Sequence, residues 1–106
     1  MLITWPFTDL SSVKVRPAVV VSSDTFNRGA DVILVAISSQ TAKAEAWDVL
    51  ARASDPSFAR TGLRLPSVFK CGKILTLSKG IVRRRLGNAG PYLGKLAPNL
   101  KRILDL

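Results

Sequence analysis

The feature that most constrains this chain is a pair of β-branched apolar runs, Pro17–Ser23 (PAVVVSS) and Asp31–Ser39 (DVILVAISS), joined by Asp24-Thr25-Phe26-Asn27-Arg28-Gly29. Val and Ile are stiff at χ1 and crowd a helix, whereas they fit a pleated strand. Both runs are apolar at successive positions, so both faces of each strand must be covered. In the connection Asp24 is expected to cap a single turn, with Asn27 and Gly29 taking left-handed conformations that end it.

The same grammar extends through the chain. Leu2–Phe7 reads as a truncated strand and Thr8–Lys14 (TDLSSVK) as a polar loop. Ala46–Ala51 carries the strand formers Trp47 and Val49, and Ser67–Leu77 (SVFKCGKILTL) reads as a long strand kinked at Gly72. Ser54-Asp55-Pro56 starts a turn that Gly62 ends, and Gly87, Gly90 and Gly94 mark a later turn region. Leu96, Leu100, Ile103 and Leu104 lie at helical spacing, with Pro98 expected in the helix's first turn. The expected fold is mainly β: a small barrel of five to seven short strands, its open face covered by a C-terminal α-helix, in a single domain spanning 1–106.

Composition narrows the function. With 106 residues and 47% hydrophobic content the chain can pack a core. Its net charge is +9, and the excess is one-sided: residues 54–106 hold eleven basic groups against Asp55 and Asp105, while residues 1–53 are balanced. Such a field attracts polyanions, nucleic acid first and an acidic protein next. There is no histidine, which removes imidazole acid–base pairs and His-ligated metals, and Cys71 stands alone, which excludes an intrachain disulfide and a multi-Cys zinc site. No metal or other cofactor is expected. The apolar runs are far shorter than a membrane span, so a soluble, cytoplasmic protein is expected.

Without imidazole or metal, phosphodiester chemistry would fall to other groups. Arg16 precedes Pro17, which holds it extended where a loop enters a strand, and its donor fork matches phosphate oxygens. Ser38, Ser39, Gln40 and Thr41 form a polar cluster after an apolar strand, able to hydrogen-bond phosphates and base edges of single-stranded RNA. Lys70, Lys73, Lys79 and Arg83-Arg84-Arg85 make a basic set suited to phosphates. Spacing alone favours ordinary explanations for each: an edge arginine, a strand end, solvated charges. Trp5 and Trp47 could stack on bases, but core or subunit contacts are their more ordinary use. No GxxxxGK[ST] or GxGxxG loop occurs.

Taken in order, Pro6-Phe7-Thr8-Asp9-Leu10, Arg16-Pro17-Ala18-Val19-Val20-Val21-Ser22-Ser23-Asp24 and Phe26-Asn27 resemble the opening of MazF/PemK-type toxins of bacterial toxin–antitoxin modules. Val35-Ala36-Ile37-Ser38-Ser39-Gln40 is similar to that family's second block, which usually ends in Thr, a small residue and Gln. Pro66-Ser67-Val68 followed by Lys73-Ile74-Leu75-Thr76-Leu77 resembles its third. The resemblance implies an SH3-like barrel, a homodimer, and metal-independent cleavage of single-stranded RNA to 2′,3′-cyclic phosphate and 5′-hydroxyl ends. It implies a catalytic pair at Arg16 and Ser38, the serine replacing the family's threonine, and RNA contact by Gln40. It also implies a partner antitoxin whose acidic tail blocks the RNA groove.

Two departures stand out. PemK-like toxins carry Arg-x-Asp in the third block, with the Asp as base, whereas the matching positions are Lys70-Cys71-Gly72, which offer no carboxylate there. The usual Gly-Asp opening is also missing, pointing to a shortened first strand. A non-catalytic nucleic-acid-binding module, or a gyrase-directed toxin on the same barrel, is the alternative reading.

Overall fold

A computed structural model describes residues 1–8 and 13–106, with the side chains of all of these except Phe7, Thr8, Val13 and Lys14. Six strands, β1 (Leu2–Thr8), β2 (Val13–Val20), β3 (Asp31–Ser38), β4 (Val49–Ala51), β5 (Ser67–Ser78) and β6 (Arg84–Gly87), form one curled antiparallel sheet in the order β4-β5-β3-β2-β1-β6. Among the described residues three α-helices punctuate it: α1 (Asp24–Asn27), α2 (Phe58–Thr61) and the C-terminal α3 (Tyr92–Leu104). The expected mainly-β fold, a small barrel of five to seven strands with a C-terminal helix, is observed as a six-stranded half-barrel with that helix.

The runs that are apolar at successive positions do bury both faces. One cluster gathers Leu2, Val19, Val35, Ile37, Phe69 and Cys71 under Tyr92 and Leu96 of α3; the other gathers Ile3, Ala18, Val20, Val32 and Leu34 on the opposite face, with Trp5, Leu77 and Val82 against it. Adjacent residues such as Leu2 and Ile3 belong to different clusters because successive side chains point to opposite faces. Phe69 and Tyr92 meet at 5.3 Å between centroids with planes tilted 59°, an arrangement that aromatic quadrupoles favour. The two sheet edges are tied through α2. Asn88 N–H of the chain leaving β6 donates to Arg60 O at 2.8 Å, and Gly62 closes α2 in the left-handed region at φ 73°.

Several local expectations are corrected. The segment Thr8–Lys14, expected as a loop, has Thr8 paired with Val13 and Lys14 paired with Phe7; residues 9–12 lie outside the described residues. β1 is seven residues long rather than truncated. Strand structure in the fourth run begins at Val49, because the Asp48 side chain holds the preceding residues in a turn. The cap of α1 is Ser23, whose Oγ accepts Phe26 N–H, and not Asp24, which is already helical. Asn27 and Gly29 avoid positive φ; Asn27 is instead tied back to Ser22 through side-chain and backbone hydrogen bonds.

Pro98 sits inside α3, which starts six residues earlier at Tyr92. Starting there adds Tyr92 to the buried face with Leu96, Leu100 and Ile103, while Leu104 stays exposed. Pro98 lacks the N–H that would bond the carbonyl of Gly94, but Gly94 is exposed, so water can serve that carbonyl.

Candidate functional site

The register of the central strands assembles a face. Trp5 pairs with Arg16 and Ile3 with Ala18 across β1–β2, and Ala18 pairs with Ala36 across β2–β3. Period-2 alternation then places Trp5, Arg16, Ala36 and Ser38 on the face that holds the smaller core cluster. The β2–β3 ladder ends at Ala18, next to Pro17, which has no N–H to contribute. Carried two residues further, the same register sets Arg16 level with Ser38, but there the strands part.

A cleft of about 680 Å³ opens at this point, its lining including Trp5, Arg16, Ser38, Gln40, Lys73 and Glu45. The β5 wall is irregular. Val35 pairs with Ile74 but Ala36 with Lys70, so Cys71, Gly72 and Lys73 form a bulge, in keeping with the expected kink at Gly72. Ser38 Oγ accepts the Gln40 N–H at 3.1 Å, which turns the chain after β3 and leaves the hydroxyl proton free to rotate.

The cleft brings together Arg16, Ser38, Gln40, Lys70 and Lys73 from the sequence-derived set. Ser39 is exposed and adjacent but does not line it. Lys79 lies beyond the end of β5, where its ammonium donates to Asn27 O at 2.7 Å, and Arg83 precedes β6, its N–H bound to Thr4 O. Neither reaches the cleft wall. Trp5 packs against the smaller cluster and also lines the cleft, whereas Trp47 is 46% exposed rather than part of the core.

Lys70 is engaged by protein groups. Its Nζ lies 2.7 Å from Asp48 Oδ2, 3.2 Å from Lys43 O and 3.8 Å from Glu45 Oε1. Asp48 is the hub: Oδ2 also accepts Glu45 N–H at 2.9 Å and Oδ1 accepts Cys71 N–H at 3.1 Å, with the side chain only 1% exposed. This carboxylate pair, three residues apart, is what sequence reasoning missed. The third block has no acid of its own, yet the turn between β3 and β4 delivers Asp48 to Lys70 and Cys71 and places Glu45 on the cleft wall. The available signal was the Glu45…Asp48 spacing, which suits an Asp side chain capping its own turn.

Cys71 is buried, and burial first, then the neighbouring Asp48 carboxylate, push its thiol pKa up. It behaves as a small hydrophobe rather than a nucleophile. Among the described residues no group of three His, Cys, Asp or Glu side chains converges to hold a metal, and no helix is long and apolar enough to cross a membrane. A second cavity of about 360 Å³ lies against α3, lined by Asp55, Arg60, Tyr92 and Lys95. There Tyr92 Oη donates to Asp55 Oδ2 at 2.6 Å.

A half-barrel whose central strands part beside a proline to present an arginine, a serine and lysines defines a small β protein with a basic cleft. Comparison gives the family: the model of the PemK-like, MazF-like toxins of type II toxin–antitoxin systems matches residues 4–98, and the chain belongs to it. Among solved structures, the Mycobacterium tuberculosis toxin MazF-mt6 superposes with a TM-score of 0.76 at 21% identity, covering 100% of this chain and 98% of that one. A mycobacterial endoribonuclease in complex with its cognate antitoxin has a TM-score of 0.73 at 25% identity, covering 98% and 92%. MazE–MazF from Deinococcus radiodurans gives 0.70 at 17%, covering 99% and 92%. No curated protein matches the chain at a significant level.

Proposed function

We propose that the protein is an endoribonuclease toxin that cuts single-stranded RNA in the cleft between β2 and β3, without a metal ion, and is neutralised by an antitoxin. The observation that carries this reading is the convergence of Arg16, Ser38, Gln40 and Lys73 on one cleft of a histidine-free, +9 chain. The Arg16 guanidinium pairs with the non-bridging oxygens of the scissile phosphate, where charge builds as the ribose 2′-oxygen attacks phosphorus. Ser38 donates a hydrogen bond to the same phosphate, and Gln40 contacts the RNA beside it. The products are a 2′,3′-cyclic phosphate and a 5′-hydroxyl.

Lys73 supplies field at the cleft mouth, Lys70 acts through its ion pairs in the wall, and Ser39, Lys79 and Arg83 contact flanking RNA outside it. The relatives solved with antitoxins support a proteinaceous inhibitor, and the cationic cleft suits an acidic tail. The toxin acts in the cytoplasm as a homodimer.

The test is incubation of the purified protein with a long single-stranded RNA in EDTA, with cut sites mapped. Arg16→Ala is expected to lower the rate about 100- to 1,000-fold, as for loss of one donor to a developing oxyanion. Undiminished cleavage by that variant refutes the mechanism. Intact RNA with the wild type refutes the activity, and salt-sensitive binding without cleavage would identify a binding module instead.

A further inference from the structure

We infer that Glu45 is the proton acceptor for the attacking 2′-hydroxyl and that Asp48 is the residue that positions it, an inference that rests on the cleft being the RNA-cleaving site. Transesterification needs a base, and this cleft offers few. Histidine is absent from the chain. Arg16, Lys43, Lys70 and Lys73 are donors without a lone pair to offer while charged. Ser38 is a neutral alcohol that would itself need a base, and the Cys71 thiol is buried. Among the described residues lining the cleft, Glu45 is the only carboxylate.

Its setting is built rather than incidental. The Glu45 side chain is 59% exposed, so RNA can reach it. The backbone on either side is locked, because Asp48 N–H donates to Glu45 O at 3.0 Å while Glu45 N–H donates to Asp48 Oδ2 at 2.9 Å. Asp48 is in turn anchored to β5 through Cys71 N–H and Lys70 Nζ. Three donors converge on this carboxylate, and at 1% exposure it is out of reach of a ribose hydroxyl in the cleft. Lys70 approaches Glu45 at 3.8 Å, beyond hydrogen-bond length, so it biases the side chain's position without saturating it. The charged groups that line the cleft together with Glu45 are Lys70 and Lys73 from β5, Lys43 from the turn before it and Arg16 from β2, and Asp48 holds the Glu45 N–H from within the same turn.

In the step assigned, the 2′-O–H bond breaks and its proton passes to a Glu45 oxygen. The 2′-oxygen forms a bond to phosphorus, the P–O5′ bond breaks, and a water molecule protonates the departing 5′-oxygen. Glu45 then returns its proton to solvent. Atoms and charge balance with water alone as the co-reactant.

The experiment measures kcat/KM against pH on a defined single-stranded RNA for the wild type, Glu45→Gln, Glu45→Asp and Asp48→Asn. Affinity is measured separately on the same RNA with a 2′-deoxy sugar at the cut site, which cannot react. Glu45→Gln is expected to lower kcat about 100-fold or more, the usual contribution of a positioned base. It should bind the deoxy analogue as tightly as the wild type or tighter, and lose the acid limb of the rate profile. Glu45→Asp should recover part of the rate and the limb. Asp48→Asn should lower kcat while keeping the limb, because the base is present but loosely held. An active wild type whose Glu45→Gln variant cleaves within about threefold of it, or keeps the limb, overturns this assignment alone; a wild type silent on every RNA overturns the proposed function and the assignment with it.

Discussion

Replacing Asp48 with alanine tests whether the site is held by this one buried carboxylate. The substitution removes three accepted hydrogen bonds, from Glu45 N–H, Cys71 N–H and Lys70 Nζ. Losing one partner of a buried ion pair costs about 3–5 kcal/mol, because the other charge is left desolvated. Here Lys70 retains Lys43 O and Glu45 within reach and keeps 14% exposure, so the lower end applies. A loss of about 3 kcal/mol, with a urea m-value of roughly 1.5 kcal/mol/M for a domain of this size, moves the midpoint down by about 2 M. Equilibrium urea unfolding followed by tryptophan fluorescence reads this directly. The companion Lys70→Met change in the Asp48→Ala background should restore part of the loss, since it removes the stranded ammonium. A midpoint shift under about 0.3 M, or no coupling between the two substitutions, would refute the argument that Asp48 anchors the turn to β5.

Gly87→Ala should be destabilising by about 1–3 kcal/mol in a thermal melt, as for an overpacked site, because its Cβ would fall 2.3 Å from Arg60 O and 2.6 Å from Thr61 C, both backbone atoms of α2. An unchanged melting temperature would show that α2 is not packed on β6. Tyr92→Phe should destabilise over a defined pH window. The Tyr92 hydrogen bond, ahead of the Arg52 N–H, lowers the Asp55 pKa, while burial and then Asp55 raise that of Tyr92 to about 12. The carboxylate's contribution is present above its unfolded pKa of about 4 and lost as pH falls through the lower folded value; the phenol's is present below about 10 and lost as pH rises through its folded value. The wild-type advantage in melting temperature should therefore be flat from about pH 5 to 9 and shrink at both extremes; an advantage independent of pH would refute it. Removing Lys79 and Arg83 together should reduce the slope of log affinity for single-stranded RNA against log salt by about 0.7 for each phosphate left without its cation. Cleavage at saturating RNA should be unchanged; a fall in that rate would place these residues in the chemistry.

The strands are legible because they are written in local chemistry. The Val–Ile runs of β2 and β3 and the Gly72 kink in β5 reflect side-chain stiffness and backbone freedom, which need no tertiary information. What the sequence hides depends on partners distant in the chain. Pro98 suggests a helix start by its local preference, but the helix begins at Tyr92, whose ring packs on Phe69, and the carbonyl that Pro98 leaves without an N–H belongs to exposed Gly94. The Asp24 cap fails for a subtler reason: Ser23, one residue earlier, competes for the same Phe26 N–H and has the extended backbone a cap requires. On the site, Ser38 is legible through its place at the end of β3, whereas Arg16, expected where a loop enters a strand, lies inside β2, which begins at Val13; period-2 alternation brings both to one face. Lys79 and Arg83 are drawn in by charge alone, which carries no direction.

The distribution of charge along the chain explains why the acid side of the cleft is hidden in the sequence. Residues 54–106 supply the entire positive excess, and it is natural to look for the site in that half. Yet Arg16, Ser38, Gln40, Lys43 and Glu45 all come from the balanced half, and β5 contributes mainly a wall and a bulge. The basic half supplies the long-range attraction that concentrates a polyanion, which needs number rather than placement. The chemistry proposed for the cleft requires the opposite, a few groups at fixed positions, one of them negative inside a positive field. A carboxylate there survives only if it is held, and the buried Asp48 turn holds it by joining the balanced half to β5 at Lys70 and Cys71. On the proposed function, the residues that attract RNA and those that act on it are separable by mutation: loss of distal cations is expected to change salt dependence, and loss of Glu45 to change turnover.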